Sequence, residues 1–346
     1  MREIRLPPLN RRLVTLGLPL PFLAACKASA PAAAKGPGVL ETLRLATGYA
    51  DLRARARPGV LGFGVALGKI AWVSDAEARF PMQSVFKVFL AAAALAAVDA
   101  GQMTLSEPIT LTRQDLVPWY SVIVKKWRGE SMTLPIADLI ALAVQESDNL
   151  AADVLMKRIG GPAAVTTWLR GKAIEGISVD RYEKEIQPDS QGLGPFQAAW
   201  ADPKAWTAAR DARSPAEQEA ATARYLADPR DTSTLPGSLD FLTRLANGEL
   251  LSAQSTRFLL RLMTDSVPGA DRLKAGLPVS ASLAHKTGTS ATDLGITPAT
   301  NDIGLVTLAN GRHLAIVAFL AGSTATEATR NGLIADAARL AVSCIA

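Results

Sequence analysis

An uninterrupted apolar run, residues 89–98, constrains the fold more than any other stretch of this chain. The run reads FLAAAALAAV and contains no polar residue. A helix at the protein surface would carry polar side chains on one face, so this run predicts a helix that is buried on all sides. Other elements must pack around such a helix, and the core is therefore expected near residues 81–98.

A serine and a lysine stand at the start of this helix, in the stretch PMQSVFKV at residues 81–88. Residues three apart share a helix face, so Lys87 is expected beside Ser84. A lysine is seldom buried without a reason, because desolvating its charge is costly. At a helix N-terminus it would help to remove the serine proton and make Ser84 a nucleophile. The alternative is that Ser84 caps the helix and Lys87 extends to solvent.

The N-terminus has the pattern of an export signal. A basic stretch ending at Arg12 precedes an apolar run at residues 13–22 and then small residues. The sequence LAAC, ending at Cys26, resembles the lipobox of bacterial lipoproteins; the alternative is a simple cleavable signal ending at residues 28–30. We therefore expect residues 1–26 to direct export to the periplasm, with a membrane anchor on lipidated Cys26. Residues 27–38 are expected to be a tether, and Cys344 then forms no intrachain disulfide.

Charge and hydropathy argue against nucleic-acid binding and against a membrane-spanning helix. Residues 1–26 supply three charges of the formal net charge of +5. The remainder shows no basic stripe with interleaved aromatic residues, so nucleic acid is not expected. No run approaches the roughly 20 apolar residues of a membrane-spanning helix.

Strand patterns occur at both ends of the chain, with helical patterns between them. Residues 60–67 and 69–73 predict a hairpin around Gly68, and Asn310-Gly311 predicts a turn between two late strands. The expected fold is α+β: one antiparallel sheet from residues 39–80 and 276–346, flanked by terminal helices, and a mainly helical inserted region, residues 81–275. The late strands are expected at 282–289, 303–309 and 314–320, and the clearest helices at 39–54, 135–144, 150–159, 163–170, 252–263 and 326–342.

Three further motifs carry polar groups that could join Ser84. The sequence SDN, residues 147–149, lies between two helical segments, and its simpler interpretation is a helix N-cap. The sequence HKTGT, residues 285–289, suits an anionic ligand on a strand edge, or else protects an exposed edge. The sequence DRYEKEIQ, residues 180–187, is also typical of a solvated charged turn.

In this order the motifs SVFK, SDN and KTG resemble the three signatures of penicillin-recognising serine enzymes. Glu183, in the context DRYE, resembles the omega-loop glutamate of class A β-lactamases. The resemblance runs from about residue 40 to the C-terminus. It implies a β-lactamase/transpeptidase-like catalytic domain at residues 39–346, and hydrolysis of penicillins and cephalosporins through a Ser84 acyl-enzyme that water activated by Glu183 releases. Antibiotic resistance would follow.

The resemblance also implies a role for each matching residue. The catalytic residues would be Ser84, Lys87, Ser147 and Glu183, with the acylation base either Lys87 or Glu183. The backbone N–H groups of Ser84 and Thr289 would form the oxyanion hole, and Arg181 would pair with Asp231. The substrate-binding residues would be Asn149, Gln187, Lys286, Thr287, Thr289, Arg272 and Tyr120.

The chain departs from the family pattern in its omega loop, residues 178–232, which is longer by about 35 residues on our alignment. The added stretch contains Trp200, Trp206 and a predicted helix at 214–226. A loop of this length usually reshapes a site or packs outside it. The departure leaves Glu185 as the alternative to Glu183.

Two other functions share parts of this pattern. A DD-peptidase or another serine hydrolase of the cell envelope would keep Ser84 and Lys87 without needing Glu183. A non-catalytic binding protein would not need the full set of reactive side chains. The expected partner is a small β-lactam bound by a monomer, and the resemblance implies neither a cofactor nor a metal, in keeping with only two histidines, His285 and His313.

Overall fold

The computed structural model describes residues 40–118 and 120–345, so the predicted export signal, Cys26 and the tether lie outside the described residues. Helices and strands are numbered in chain order. The helices are α1 Thr42–Ala56, α2 Phe86–Asp99, α3 Val122–Lys126, α4 Ile136–Gln145, α5 Asn149–Arg158, α6 Pro162–Gly171, α7 Glu183–Ser190, α8 Pro203–Asp211, α9 Pro215–Ala227, α10 Leu235–Ala246, α11 Ala253–Thr264 and α12 Glu327–Ser343. The strands are β1 Val60–Leu67, β2 Ile70–Val73, β3 Arg79–Pro81, β4 Pro108–Thr112, β5 Ser131–Pro135, β6 Thr232–Thr234, β7 Ser282–Thr289, β8 Thr297–Thr307 and β9 His313–Ser323.

The main sheet joins the two ends of the chain, as predicted. Its order is β2-β1-β9-β8-β7, and its pairings are antiparallel. The pairing of β1 with β9 runs from Val60–Ala321 to Leu67–Leu314, so residues more than 240 positions apart form the middle of the sheet. One face of the sheet is covered by α1 and α12 through a cluster that includes Leu45, Phe63 and Ile334. The predicted α+β class is confirmed.

Helix α2 is the centre of the helical region. Its first ten residues, from Phe86 to Leu95, are all buried, and only its last turns approach the surface. It contacts α4, α5, α6 and α11, which supply the apolar partners that a helix without a polar face requires. The prediction made from the run at residues 89–98 is therefore confirmed, and the core includes the first turn, where Lys87 lies.

Most predicted elements are present with ends displaced by one to three residues, but β8 begins at Thr297 instead of 303. Two small sheets, β3 with β6 and β4 with β5, were not predicted. Within the described residues, no helix combines the length and the apolar character that crossing a membrane requires.

The residues between Gln187 and Asp231, here called the inserted arm, form ordered helices. They hold the last three residues of α7, a 3-10 turn at Ala198–Ala201, and helices α8 and α9. Trp200 and Trp206 are buried and meet edge to face, with ring centroids 5.9 Å apart. Phe196 packs against the main core cluster. The arm is thus an elaboration folded onto the body of the protein.

Candidate active site

Ser84 and Lys87 adopt the geometry that their spacing predicts. Ser84 lies in a 3-10 turn, Gln83–Val85, directly before α2, and is half-buried. Lys87 is fully buried, and its Nζ donates to Ser84 Oγ at 3.0 Å. The same Nζ lies 2.8 Å from Glu183 Oε1. One buried ammonium group therefore joins the hydroxyl of Ser84 to a buried carboxylate.

Ser147 links this group to a second buried lysine. Its φ of +59° is unusual for a residue with a side chain, and such strain is typical of functional sites. The conformation lets its carbonyl accept from Lys87 Nζ at 2.8 Å while its hydroxyl accepts from Lys286 Nζ at 3.0 Å. Burial, reinforced by the charge of Lys87, lowers the pKa of Lys286 well below its usual value. Ser84, Lys87, Ser147, Glu183 and Lys286 are called the catalytic cluster below.

Asp148 confirms the capping interpretation of this motif, and Asn149 brings the motif into contact with Lys87. The Asp148 side chain caps α5 by accepting from the N–H of Ala151 at 2.9 Å. Asn149, in the first turn, accepts from Lys87 Nζ through Oδ1 at 2.5 Å. The N–H of Asn149 donates to the carbonyl of Tyr120, a half-buried residue whose ring lies under Lys125 Nζ at 4.5 Å.

Glu183 begins helix α7 and is 1% exposed. Its backbone N–H donates to Asp153 Oδ1 at 2.6 Å, and the N–H of Lys184 donates to Asp153 Oδ2 at 3.0 Å. Burial, together with the charge of Glu183, raises the pKa of Asp153 to about 8. Glu185, by contrast, is exposed and its carboxylate accepts from the N–H of Tyr182. The structure thus places Glu183, not Glu185, against Lys87.

Strand β7 forms the opposite side of the site because it is an edge strand of the main sheet. Gly288 is required there, since a Cβ atom at this position would lie 2.3 Å from the carbonyl oxygen of Met82. The absence of a side chain lets the strand run against the turn that carries Ser84. Thr287 is buried and Thr289 is exposed at the end of the strand.

Arg272 reaches this strand from behind. Its Nη2 donates to Thr289 Oγ1 at 2.7 Å, and its Nη1 donates to the carbonyls of Gly288 and Asn301. Burial lowers the pKa of Arg272, against the opposing charge of Asp302. Because the guanidinium occupies an acceptor site on Thr289 Oγ1, the hydroxyl proton of Thr289 is free to donate to a ligand.

Arg181 and Asp231 form the predicted pair at the base of the omega loop. Arg181 Nε donates to Asp231 Oδ2 at 2.6 Å, and both side chains are buried. Asp231 Oδ1 also accepts from the backbone N–H groups of Asp180 and Arg181. Burial raises the pKa of Asp231 and the charge of Arg181 opposes this effect.

Gln187 lies on α7 one turn after Glu183. Its Nε2 donates to Glu183 Oε2 at 2.8 Å and to Gln83 Oε1 at 3.3 Å. Gln83 Nε2 donates in turn to the hydroxyl of Tyr225, at 2.6 Å, in helix α9 of the inserted arm. The inserted arm therefore reaches the site through a chain of buried side chains.

Sequence reasoning missed Asp153, Gln83 and Tyr225. Asp153 could have been found, because it follows Asn149 by four residues and so shares its helix face. Gln83 and Tyr225 have no such signal. In the described residues, no group of three or more His, Cys, Asp or Glu side chains is arranged to hold a metal ion.

Comparisons with known proteins agree with this geometry. The β-lactamase enzyme family matches residues 54–345 of the chain. Two relatives come from Pseudomonas aeruginosa: the extended-spectrum β-lactamase PER-1, 30% identical over 76% of this chain and 74% of its own, and the β-lactamase VEB-1, 32% identical over 76% and 77%.

Solved structures of β-lactamases are similar over most of the fold. A β-lactamase from Chitinophaga pinensis matches with a TM-score of 0.69 at 31% identity, over 85% of this chain and 97% of that chain. An ancestral class A β-lactamase, GNCA, gives 0.69 at 32% identity, over 86% and 99%. The extended-spectrum β-lactamase TLA-1 gives 0.72 at 25% identity, over 88% and 99%.

Proposed function

The chain belongs to the β-lactamase enzyme family and is a class A serine β-lactamase, and on that premise we propose that it opens β-lactam rings through an acyl-enzyme on Ser84, which water activated by Glu183 then hydrolyses. One observation carries the proposal: Lys87 Nζ contacts both Ser84 Oγ, at 3.0 Å, and Glu183 Oε1, at 2.8 Å. A weak nucleophile needs an adjacent base, and this arrangement supplies one.

In the acylation step Ser84 Oγ attacks the lactam carbonyl carbon and the C–N bond of the ring breaks. The Lys87–Glu183 pair accepts the hydroxyl proton, since the 2.8 Å separation allows a proton to pass between them. Ser147 relays this proton to the departing nitrogen: its hydroxyl proton goes to the nitrogen, and its oxygen takes up the proton held by the Lys87–Glu183 pair, which is thereby restored. The contact from Lys286 Nζ to Ser147 Oγ leaves the Ser147 proton free to be donated.

Backbone N–H groups of Ser84 and Thr289 hold the negative oxygen that develops during attack. Gly288 brings the two segments together, because only glycine tolerates the close approach to Met82. Loss of one such donor in other enzymes costs about 3–4 kcal/mol of transition-state stabilisation.

The carboxylate of the substrate binds at the end of β7. Lys286 and Thr287 are buried beside it, and Arg272 orients the Thr289 hydroxyl toward it. Charge-assisted hydrogen bonds of this kind are stronger than neutral ones. Asn149, which contacts Lys87, binds the side-chain amide of the substrate, and Tyr120, whose carbonyl accepts from the N–H of Asn149, flanks the cleft as the family resemblance implies.

Deacylation restores the enzyme. Glu183 takes a proton from water, the water oxygen attacks the ester carbonyl, and the bond to Ser84 Oγ breaks as that oxygen regains a proton. The net reaction adds one water to the lactam amide. Gln187, which donates to Glu183 Oε2, holds the carboxylate in place.

Two variants test this assignment with a fluorescent penicillin, a chromogenic cephalosporin and intact-protein mass spectrometry. Ser84→Ala is expected to abolish covalent labelling. Glu183→Ala is expected still to be labelled and to accumulate the acyl-enzyme. Glu185→Ala is the matched control, because Glu185 is exposed two residues away, and it should turn over like the parent. Labelling of Ser84→Ala, or rapid turnover by Glu183→Ala, would refute the mechanism.

We also propose that the protein is exported and anchored by a lipid on Cys26, on the strength of the LAAC sequence and the preceding apolar run. Metabolic labelling with a radioactive fatty acid should mark the parent and not Cys26→Ala. Absence of label from both would favour a simple cleavable signal, and equal labelling of both would show that Cys26 is not the lipidated residue.

A further inference from the structure

The inserted arm contributes one buried polar side chain to the surroundings of Glu183. Tyr225, in α9, is 4% exposed, and its hydroxyl lies 2.6 Å from Gln83 Nε2. Gln83 immediately precedes the nucleophile and has an unusual φ of +47°. A strained residue persists only where its surroundings hold it, and the hydrogen bond to Tyr225 is part of that support.

The chain of hydrogen bonds from Tyr225 to Glu183 can run in only one direction. Glu183 is ionised in the proposed mechanism and only accepts, so the Gln187 atom beside it must be the amide nitrogen. That nitrogen also contacts the Gln83 side chain, which must therefore present its oxygen. The Gln83 nitrogen then faces the Tyr225 hydroxyl, which accepts. Each orientation fixes the next one.

The side chains in this series of hydrogen bonds are buried. Gln83, Gln187, Glu183 and Tyr225 are exposed by 3%, 7%, 1% and 4% of their surfaces. In such surroundings a polar group that loses its partner is not rescued by solvent, so hydrogen-bonded networks restrict side chains strongly. Without an acceptor at Tyr225, the Gln83 amide would turn and its oxygen would leave Gln187.

We infer that Tyr225 is a positioning residue for Glu183, acting through the side-chain amides of Gln83 and Gln187. The inference rests on the proposed role of Glu183 in deacylation. It assigns the inserted arm a part in the second half of the reaction. In the first half Ser84 and Lys87 contact each other directly, so that half depends less on Tyr225 than the second half does.

The test is Tyr225→Phe in the full-length protein, with acylation and deacylation of a penicillin measured separately by stopped-flow and quenched mass spectrometry. The deacylation rate is expected to fall about three- to tenfold, which corresponds to one net hydrogen bond. The acylation rate should fall less than the deacylation rate, so the acyl-enzyme fraction at steady state rises. A loss of packing alone would not slow one step selectively.

Tyr49→Phe is the matched control. The Tyr49 hydroxyl donates to the Leu61 carbonyl at 2.6 Å, and this residue belongs to α1, among the side chains that cover the other face of the main sheet. It loses one hydrogen bond by the same substitution, so a similar change in thermal stability is expected without any change in deacylation. An equal slowing by both variants would overturn the inference.

A double-mutant cycle tests the route. Gln83→Met removes the amide between Tyr225 and Gln187, so Tyr225→Phe should have no further effect on deacylation in that background. An undiminished effect would show that Tyr225 does not act through Gln83, and would overturn the inference. If Glu183→Ala accumulates acyl-enzyme while Tyr225→Phe does not, only this inference fails. If Glu183→Ala deacylates normally, the proposed function fails first, and the inference with it.

Discussion

Two regions of the molecule place two cations near one carboxylate, but they use different cations. In the catalytic cluster the two cations are Lys87 and Lys286, and the carboxylate is Glu183. In the inserted arm the two cations are Arg210, in α8, and Arg213, just after α8. Both contact the carboxylate of Asp293, in the loop between β7 and β8. These three residues are called the arm clamp below.

The chemistry of the two sets differs. In the cluster only Lys87 contacts the carboxylate; Lys286 instead contacts Ser147 and a backbone carbonyl, and burial lowers its pKa. In the clamp both guanidinium groups contact the carboxylate directly, at 2.7 and 3.1 Å. A lysine can give up its proton in a buried site and an arginine cannot. The cluster is therefore suited to move protons, and the clamp to hold a loop.

The largest effect is expected from Lys87→Arg, which gives the cluster the chemistry of the clamp. The guanidinium keeps the positive charge beside Glu183 but cannot take part in proton transfer, so kcat/KM should fall by about 10²–10⁴-fold. Steady-state hydrolysis of a chromogenic cephalosporin measures this. Lys157→Arg, at an exposed position, is the control and should have no effect. Turnover by Lys87→Arg near the parental rate would show that Lys87 acts only as a fixed charge.

The next effect is on stability, at the base of the arm. Asp231→Ala removes one of the three carboxylate partners of buried Arg181 and the oxygen that accepts from two backbone N–H groups. Each N–H group left without that acceptor costs about 1–3 kcal/mol of unfolding free energy, while Asp189 and Asp228 still pair with Arg181. Urea unfolding measures this loss. Asp240→Ala breaks an exposed pair with Arg244 and should cost less than about 1 kcal/mol. Equal losses would mean that Asp231 does not hold the base of the omega loop.

A smaller and more local effect is expected at the arm clamp. Asp293→Asn leaves Arg210 and Arg213 facing a neutral amide, and each keeps a contact with the Gln191 side chain. The clamp should weaken by about 1–2 kcal/mol, which increases trypsin cleavage within the arm roughly tenfold when opening is fast. Limited proteolysis followed by intact-mass analysis locates the cuts. Glu219→Gln, at an exposed position on α9, is the control and should be cleaved at the parental rate. Cleavage of Asp293→Asn at the parental rate would show that the clamp does not hold the arm.

The sequence predicted the cluster better than the clamp for a physical reason. Ser84 and Lys87 are three residues apart, so helix geometry alone brings them together. The motifs that carry Ser147 and Lys286 resemble those of a known family, and this resemblance predicted that both residues lie in one site with Ser84. Glu183 was placed in the same way.

Contacts made by the inserted arm could not be predicted. Gln83 and Tyr225 are 142 residues apart, and Arg210 and Asp293 are 83 apart. No local periodicity sets the path of a long insertion across a surface, so its helix at 214–226 was predicted but its partners were not. In the fold, the polar start of β8 at residues 297–302 lacks the apolar alternation that predicts a strand.

A third carboxylate, Asp153, lies beside the catalytic cluster and makes stability depend on pH. It belongs to α5, and it accepts from the backbone N–H groups of Glu183 and Lys184 at the start of α7. Burial, aided by the charge of Glu183, raises the pKa of Asp153 to about 8 from a usual value of 3.8. Between these values the folded protein binds one proton more than the unfolded chain. Stability from this group therefore falls as pH rises, by at most about 1.4 kcal/mol per pH unit.

Asp153→Asn removes this dependence, because the amide does not ionise and keeps one acceptor for the N–H of Glu183. We expect the free energy of unfolding of the variant to rise relative to the parent between pH 5 and pH 8, as measured by urea unfolding at each pH. Asp51→Asn, at an exposed position on α1, should give curves parallel to those of the parent. Parallel curves for Asp153→Asn as well would mean that the two backbone N–H groups keep Asp153 ionised. The junction between cluster and arm would then be held by a fixed charge, as the clamp is.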